Sequence, residues 1–285
     1  MLQFGMRAHD CCPPLPMTEC FDTLAANGLR RVQLAFEKSI SDCDFSTGHY
    51  SPAFAGKIGE ELGKRGLHVS VLGCYINPVH PDEAARRREV DRFIERLRYA
   101  KDIGADMVGT ETGRFSPDMA VTALTQSKEC WRVLLGSFSR IVREAETLGV
   151  TVGVEGVFDH TLSTPERMAR FLRDLASPAV RVILDFANLV PPDALSAEAQ
   201  RSLAERAFSL YGERIAVLHL KDCVFENGVQ RCVRPGTGVV RWEEPMRLIA
   251  REKPELTGLL EESSPARYAQ DCAFFARKYE EAANG

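Results

Sequence analysis

The run Val180-Arg181-Val182-Ile183-Leu184-Asp185 is a short, β-branched apolar stretch that ends on a carboxylate. The same form recurs around it, as Val152-Gly153-Val154-Glu155 before and as Val217-Leu218-His219 and Leu259-Leu260-Glu261 after. The four closing residues lie 30, 34 and 42 positions apart, intervals that each accommodate one strand–helix unit. Reading outward gives strands at 2–8, 31–36, 67–74, 105–111, 150–155, 180–185, 215–220 and 256–261. Eight such units in 285 residues predict an α/β fold, a single (β/α)8 TIM barrel domain spanning 1–285. A doubly wound sheet is the alternative. It usually carries a glycine-rich turn after its first strand, where this chain has His9-Asp10-Cys11-Cys12-Pro13-Pro14.

The intervening segments read as helices. In 82–103, Val90, Phe93, Ile94, Leu97 and Ala100 recur at helical spacing. Gly28, Gly66, Gly104 and Gly149 each stand just ahead of a strand, as expected of left-handed helix ends. Ser163-Thr164-Pro165-Glu166 reads as an N-cap followed by proline at the first helical position. Arg86-Arg87-Arg88 shares its segment with Glu83 and Glu89 and reads as a solvated helix face.

Composition narrows the function classes. A net charge of −4, from 36 basic and 40 acidic residues, gives no general attraction to nucleic acid or anionic membrane. No apolar run approaches the ~20 residues that span a bilayer, and the opening Met-Leu-Gln-Phe-Gly-Met-Arg does not read as a signal peptide. A cytoplasmic location is expected. The nine cysteines are odd in number and form no Cys-x-x-Cys pair, so they read as reduced thiols filling the core.

In a barrel the C-terminal strand ends converge on one face, which aims Glu155, Asp185, His219 and Glu261 at one volume. Singly, such a histidine is an ordinary hydrogen-bonded core residue and such an acid a helix cap. Together, three carboxylates repel one another unless a cation joins them. Oxygen and imidazole donors suit Mn²⁺ or Mg²⁺ better than structural zinc, which prefers Cys and His. A cation there polarises a carbonyl and its neighbouring hydroxyl. Glu155 and Glu261, three strands apart, are then placed as the catalytic acid–base pair on either side of an enediolate. Lys221, Asn188, Glu111 and His9 are candidate substrate-binding residues. His80 and Glu262 stand further back, and Glu262 points outward by alternation if Glu261 points in.

These residues lie in stretches that resemble the xylose isomerase-like barrel superfamily, in its sugar phosphate isomerase/epimerase branch. The stretches are VGVEG (152–156), VILDFANL (182–189), VLHLKD (217–222), PGTGVVRW (235–242) and GLLEE (258–262), with GCYINPVHPD (73–82) nearer the front. The resemblance covers essentially the whole chain. It implies that Glu155, Asp185, His219 and Glu261 bind one divalent metal, Mn²⁺, Mg²⁺, Co²⁺ or Zn²⁺. Three patterns depart from the branch: its Asp-x-x-His reads Asp185-Phe186-Ala187-Asn188, its Glu-Asn reads Glu155-Gly156, and its Gly-Glu-Gly reads Gly236-Thr237-Gly238.

The expected activity is a divalent-metal-dependent isomerase or epimerase acting on a small sugar or keto-sugar. A dehydratase or lyase on a cyclic polyol or keto acid is the alternative, followed by a non-catalytic sugar-binding barrel. A homo-oligomer is compatible with this reading. The sister apurinic endonucleases bind three metals through extra histidines, whose positions here fall at Leu72, Glu111 and Asn188 and near Gln230-Arg231-Cys232. The metal-loaded protein is therefore expected not to incise duplex DNA at an abasic site; robust cleavage at physiological salt, lost in Asp185→Ala, would reverse that ranking.

Overall fold

A computed structural model describes residues 2–284. Ten strands occur: β1 (Gln3–Arg7), β2 (Arg31–Leu34), β3 (His68–Gly73), β4 (Val108–Thr110), β5 (Val152–Glu155), β6 (Val180–Asp185), β7 (Ile215–Leu220), β8 (Asp222–Glu226), β9 (Val229–Val233) and β10 (Thr257–Leu260). Eight of them close into a parallel barrel in the order β1-β10-β7-β6-β5-β4-β3-β2. All eight runs read from the sequence are barrel strands; the run at 105–111 shortens to Val108–Thr110.

The helices form where the chain supplies both an apolar stripe and stops. Glu83–Ile103 starts at Asp82, whose Oδ1 accepts from the Ala85 amide at 2.7 Å, and it ends at Gly104, at a left-handed φ of 70°. Pro165–Leu175 starts as read, with Thr164 capping the Arg167 amide and Pro165 in the first turn. No helix among the described residues is long and apolar enough to cross a membrane. All nine cysteines are free.

The barrel interior decides which side chains reach the C-terminal mouth. Val71, Met107, Ile183, Val217 and Leu259 form a buried cluster of their own. A strand repeats its facing every two residues, so Asp185, His219 and Glu261 stand one pleat above Ile183, Val217 and Leu259. The register agrees, with Asp185 opposite His219 and Leu259 opposite His219. Gly109 and Gly153 lie one pleat below Glu111 and Glu155. A Cβ at either would come within 2.9 Å of Ile183 Cδ1, so the two glycines make room for that side chain. Small residues on β4 and β5 thus let one isoleucine fill the floor beneath the mouth.

A hairpin rises beyond β7 that the sequence reading did not call. β8 and β9 pair antiparallel around Asn227-Gly228, both at positive φ (51° and 78°), a pairing that suits the twist of a two-residue hairpin turn. Gln230 Nε2 donates to the Ala187 carbonyl at 2.8 Å, and Phe225 meets Phe158 edge-on with centroids 5.7 Å apart. The hairpin is thereby tied to the loops after β5 and β6.

Asp222 organises the return of the chain. Its Oδ1 accepts from the amides of Cys223 (2.8 Å) and Val240 (3.1 Å), and its Oδ2 from those of Gly236 and Gly238 (2.9 Å each). The Gly236-Thr237-Gly238 loop is therefore wrapped round a buried carboxylate. A Cβ at Gly238 would lie 2.2 Å from Asp222 Oδ1 and 2.3 Å from the Cys223 carbonyl oxygen, neither of which is the free end of a flexible chain. Gly238→Ala is expected to cost about 1–3 kcal/mol and to lower Tm by roughly 3–10 °C. Gly153→Ala meets only side-chain ends, Met107 Sδ and Ile183 Cδ1 and Cγ1, and should cost less. Thermal denaturation of the two variants side by side checks the order.

Candidate metal centre

The four residues read as ligands come together at the mouth. His219 Nδ1 lies 3.0 Å from Glu155 Oε2, 3.4 Å from Glu261 Oε1 and 3.8 Å from Asp185 Oδ2. Ligand atoms of Glu155, Asp185 and His219 all fall within 4.8 Å of one another. The exposures are 2% for Glu155, 1% for Asp185, 0% for His219 and 6% for Glu261, so water contributes little to screening these charges.

Neighbouring side chains fix each group. Asn188 Nδ2 donates to Glu155 Oε1 at 2.6 Å, which leaves Oε2 facing the centre. The Asn188 amide donates to Asp185 Oδ1 at 2.9 Å, which likewise leaves Asp185 Oδ2 inward. Asn188 thus orients two carboxylates from the position where the branch pattern has histidine. Lys221 is buried, with its ammonium 2.7 Å from Asp185 Oδ2 and 2.8 Å from Glu261 Oε2. On the other flank, Arg7 NH1 lies 3.6 Å from Glu261 Oε1. The same guanidinium pairs with both Asp10 oxygens at 2.9 Å and with Glu262 at 2.5 Å.

Burial and charge pull these groups in opposite directions. Burial pulls the Lys221 ammonium down, but Asp185 and Glu261 outweigh it and hold its pKa well above the ordinary lysine value. Burial raises Glu261, yet Lys221, His219 and Arg7 leave it well below the usual carboxylate range. Asp185 is pushed up to about 6, by burial first and then by Glu155 and Glu261 against the opposing pull of Lys221. Burial lowers His219, but the three carboxylates carry it up to about 9.

The arrangement fits a divalent cation. Asp185 Oδ2 and both His219 ring nitrogens are buried without a hydrogen-bond partner among the described residues, despite the short approaches above. Of these, His219 Nδ1 and Asp185 Oδ2 lie 3.8 Å apart and do not bond across that gap. Oxygen and nitrogen ligands at vertices about 2.1 Å from a six-coordinate centre stand on the order of 3 Å apart, which is the spacing found round His219 Nδ1. Three hard oxygens and one imidazole match the preferences of Mg²⁺ and Mn²⁺.

The remaining candidates divide. Glu111 follows β4 beside Glu155, since Thr110 pairs with Val154. Burial, then Glu155, push its pKa up to about 8. His9 lies in a short helical turn, Ala8–Cys11, just past β1 and not at its end. Burial, then Arg7 and Lys38, lower it to about 4. His80 belongs to the loop that caps Glu83–Ile103, its Nδ1 accepting from the Asp82 amide at 3.1 Å. Glu262 turns outward as read, its side chain 49% exposed, but at a φ of 55°, uncommon for a residue with a Cβ.

Three groups at the mouth escaped the sequence reading. Arg7 and Tyr75 occupy positions that continue the inward alternation of β1 and β3. Tyr75 accepts a hydrogen bond from Gln33 Nε2, and burial together with Glu261, Glu155 and Glu111 holds its hydroxyl well above its usual pKa. His160, on the loop after β5, is 4% exposed and has no strand periodicity to announce it.

Solved structures share this architecture. A D-tagatose 3-epimerase-like protein superposes with a TM-score of 0.75 at 16% identity, covering 99% of this chain and 98% of its own. A 3-keto-D-glucoside 4-epimerase from E. coli gives 0.71 at 14%, covering 97% and 100%. A xylose isomerase-like TIM barrel protein from Mycobacterium smegmatis, in complex with magnesium, gives 0.70 at 14%, covering 99% and 98%. At such identities the likeness establishes the fold. No curated protein matches the chain by sequence. The xylose isomerase-like TIM barrel family matches residues 21–278, and the chain belongs to that family.

Proposed function

We propose that this protein is a divalent-metal-dependent isomerase or epimerase that moves a proton on a small sugar or keto-sugar through an enediolate. The observation that carries the reading is the convergence of Glu155, Asp185, His219 and Glu261, with ligand atoms of the first three within 4.8 Å of one another and Asp185 Oδ2 and His219 Nδ1 without a hydrogen-bond partner among the described residues. Solved neighbours described as sugar epimerases support the substrate class, and one neighbour described with magnesium and another with zinc support the cation. Mn²⁺ or Mg²⁺ suits the donors best.

When bound, the cation supplies Lewis acidity toward a carbonyl and its neighbouring hydroxyl. Glu155 and Glu261 reach the mouth from strands three apart in the barrel order, so they approach a flat enediolate from different sides. One carboxylate takes the proton from the carbon beside the carbonyl; the other, protonated beforehand from solvent, returns a proton, and the first then gives its own up to solvent. Asn188 holds Glu155 by Oε1 and turns Oε2 toward the centre, where it would hold the cation. Lys221 and Arg7 keep Glu261 ionised and ready to accept. Lys221 also offers positive charge to a substrate oxygen, while Glu111 and His9 line the mouth on either side. Return of the proton to the same carbon with inversion gives epimerisation; return to the neighbouring carbon gives aldose–ketose exchange.

Elemental analysis should find about one divalent ion per chain, absent from folded His219→Ala and Asp185→Ala; full occupancy in both would remove the site assignment. In D₂O a turning-over substrate should gain deuterium at the carbon beside its carbonyl. A hydride that migrates with complete retention of label would contradict the mechanism. Glu155→Gln and Glu261→Gln should each lose about 10²–10⁴ in rate with metal retained, and wild-type turnover by a metallated double variant would refute the pair. A product lighter by one water would favour the dehydratase.

A further inference from the structure

Opposite Lys221, the wall after β4 and β5 carries polar groups that the proton transfer leaves idle. His160 Nδ1 is buried without a hydrogen-bond partner and stands 3.6 Å from Glu111 Oε2. Its Nε2 lies 3.9 Å from Asp159 Oδ1, which is also buried and unpartnered. Buried polar atoms in native proteins are nearly always satisfied, by protein, water or ligand. The loop is also firmly held. The His160 amide donates to the Val157 carbonyl at 2.9 Å, and its carbonyl accepts from Gln126 Nε2 at 2.9 Å. The next residue, Thr161, donates from its amide to the Gly113 carbonyl at 3.0 Å. A buried imidazole fixed on both sides is a built feature and not a stray surface histidine.

Glu111 keeps 31% of its side-chain surface open and senses the charges of Glu155, Lys221, Glu261 and Asp185. It therefore faces the volume where a substrate would sit. Its carboxyl accepts no hydrogen bond from the described residues, and His160 is the basic group near it. The guanidinium on this wall, Arg114, is neutralised by Asp159 beside His160, although its Nε is left without a hydrogen-bond partner among the described residues. Arg114 donates to Asp159 at 2.5 Å and to the Met119 carbonyl at 2.7 Å, and Lys221 is held by Asp185 and Glu261. Lys38 makes no ion pair among the described residues, but it lies over the Tyr75 ring at 5.6 Å on the side of His9, whose charge it opposes.

We propose that Glu111 and His160 form a hydroxyl-binding subsite, so that the substrate's end against β4 and β5 is an uncharged polyol and not a phosphate or carboxylate. A carboxyl and an imidazole side by side offer both donors and acceptors, which matches a pair of hydroxyls. An anionic group placed against Glu111 would be desolvated beside that carboxylate, with the charge of Arg114 already matched by Asp159, which is unfavourable. The inference rests on the sugar reading of the metal centre and names the chemistry of the substrate's far end.

The test uses metal-loaded wild-type protein and the Glu111→Lys and His160→Leu variants, each shown to melt cooperatively. D-fructose, D-tagatose and D-ribulose are titrated by calorimetry against D-fructose 6-phosphate, D-tagatose 6-phosphate and D-ribulose 5-phosphate. The wild-type protein should bind at least one free ketose about tenfold or more tightly than its phosphate. Glu111→Lys should move that ratio about tenfold toward the phosphate. His160→Leu should weaken the free ketose about tenfold while the metal content stays unchanged. If His160→Leu fails to fold, the wild-type ratio and Glu111→Lys decide.

Failure of every ketose to bind, a wild-type preference for phosphate (including one lost in Lys38→Ala), or a ratio unmoved by Glu111→Lys overturns the subsite. Deuterium exchange in the same samples separates this from the reaction itself. Binding of a free ketose without exchange leaves the subsite and removes the proton-transfer reading, whereas exchange with a preference for phosphate does the reverse.

Discussion

Three carboxylates buried at one end of a barrel are the constraint to which the rest of this structure answers. Two such charges ~4 Å apart repel by about 4 kcal/mol at an effective dielectric near 20, and the loss of water adds to that cost. The protein meets part of the cost with its own cations. Lys221 bridges Asp185 and Glu261, and Arg7 closes on Glu261 from the other flank. His219, drawn up to about 9 by the same carboxylates, takes a further share as an imidazolium. A divalent ion held by the four residues, as proposed, would supply that charge directly and let His219 act as a neutral ligand. Affinity for such an ion would then depend on pH through the proton that His219 must lose.

Holding these groups in register is the task of the layer beneath them. Ile183, Val217 and Leu259 fill the barrel floor, and each fixes the residue two positions on. Gly109 and Gly153 admit Ile183 and so set the height of Glu111 and Glu155. Above the mouth, Asp222 gathers four amides and ties the β8–β9 hairpin to the glycine loop that follows. Adjacent residues of one motif thus divide the labour: Lys221 serves the charges of the centre, and Asp222 the glycine loop that follows the hairpin.

Much of this was legible before any coordinates. A strand's two-residue repeat is a local property, so apolar runs ending in Glu155, Asp185, His219 and Glu261 announced both the strands and their shared face. Lys221, two residues after His219, turns inward by the same parity. Asn188 showed itself as a group able to orient a ligand, and the structure places its amide on Glu155. Long-range pairings were hidden. Nothing local to Arg7 marks it as the partner of Glu262, 255 residues away. His160 sits on an irregular loop whose path depends on the neighbouring β4 loop. The hairpin carries a local signal, Asn227-Gly228, but lies outside the eight-strand repeat that the sequence displays.

The central claim is that the four buried side chains share one cation, and manganese anomalous diffraction from crystals of the loaded protein tests it most directly. The account predicts one strong peak per chain, about 2.1–2.3 Å from Glu155, Asp185, His219 and Glu261, with Lys221 drawn back from at least one carboxylate. A peak elsewhere, or Lys221 still bridging Asp185 and Glu261 with no metal density between the four residues, would contradict it.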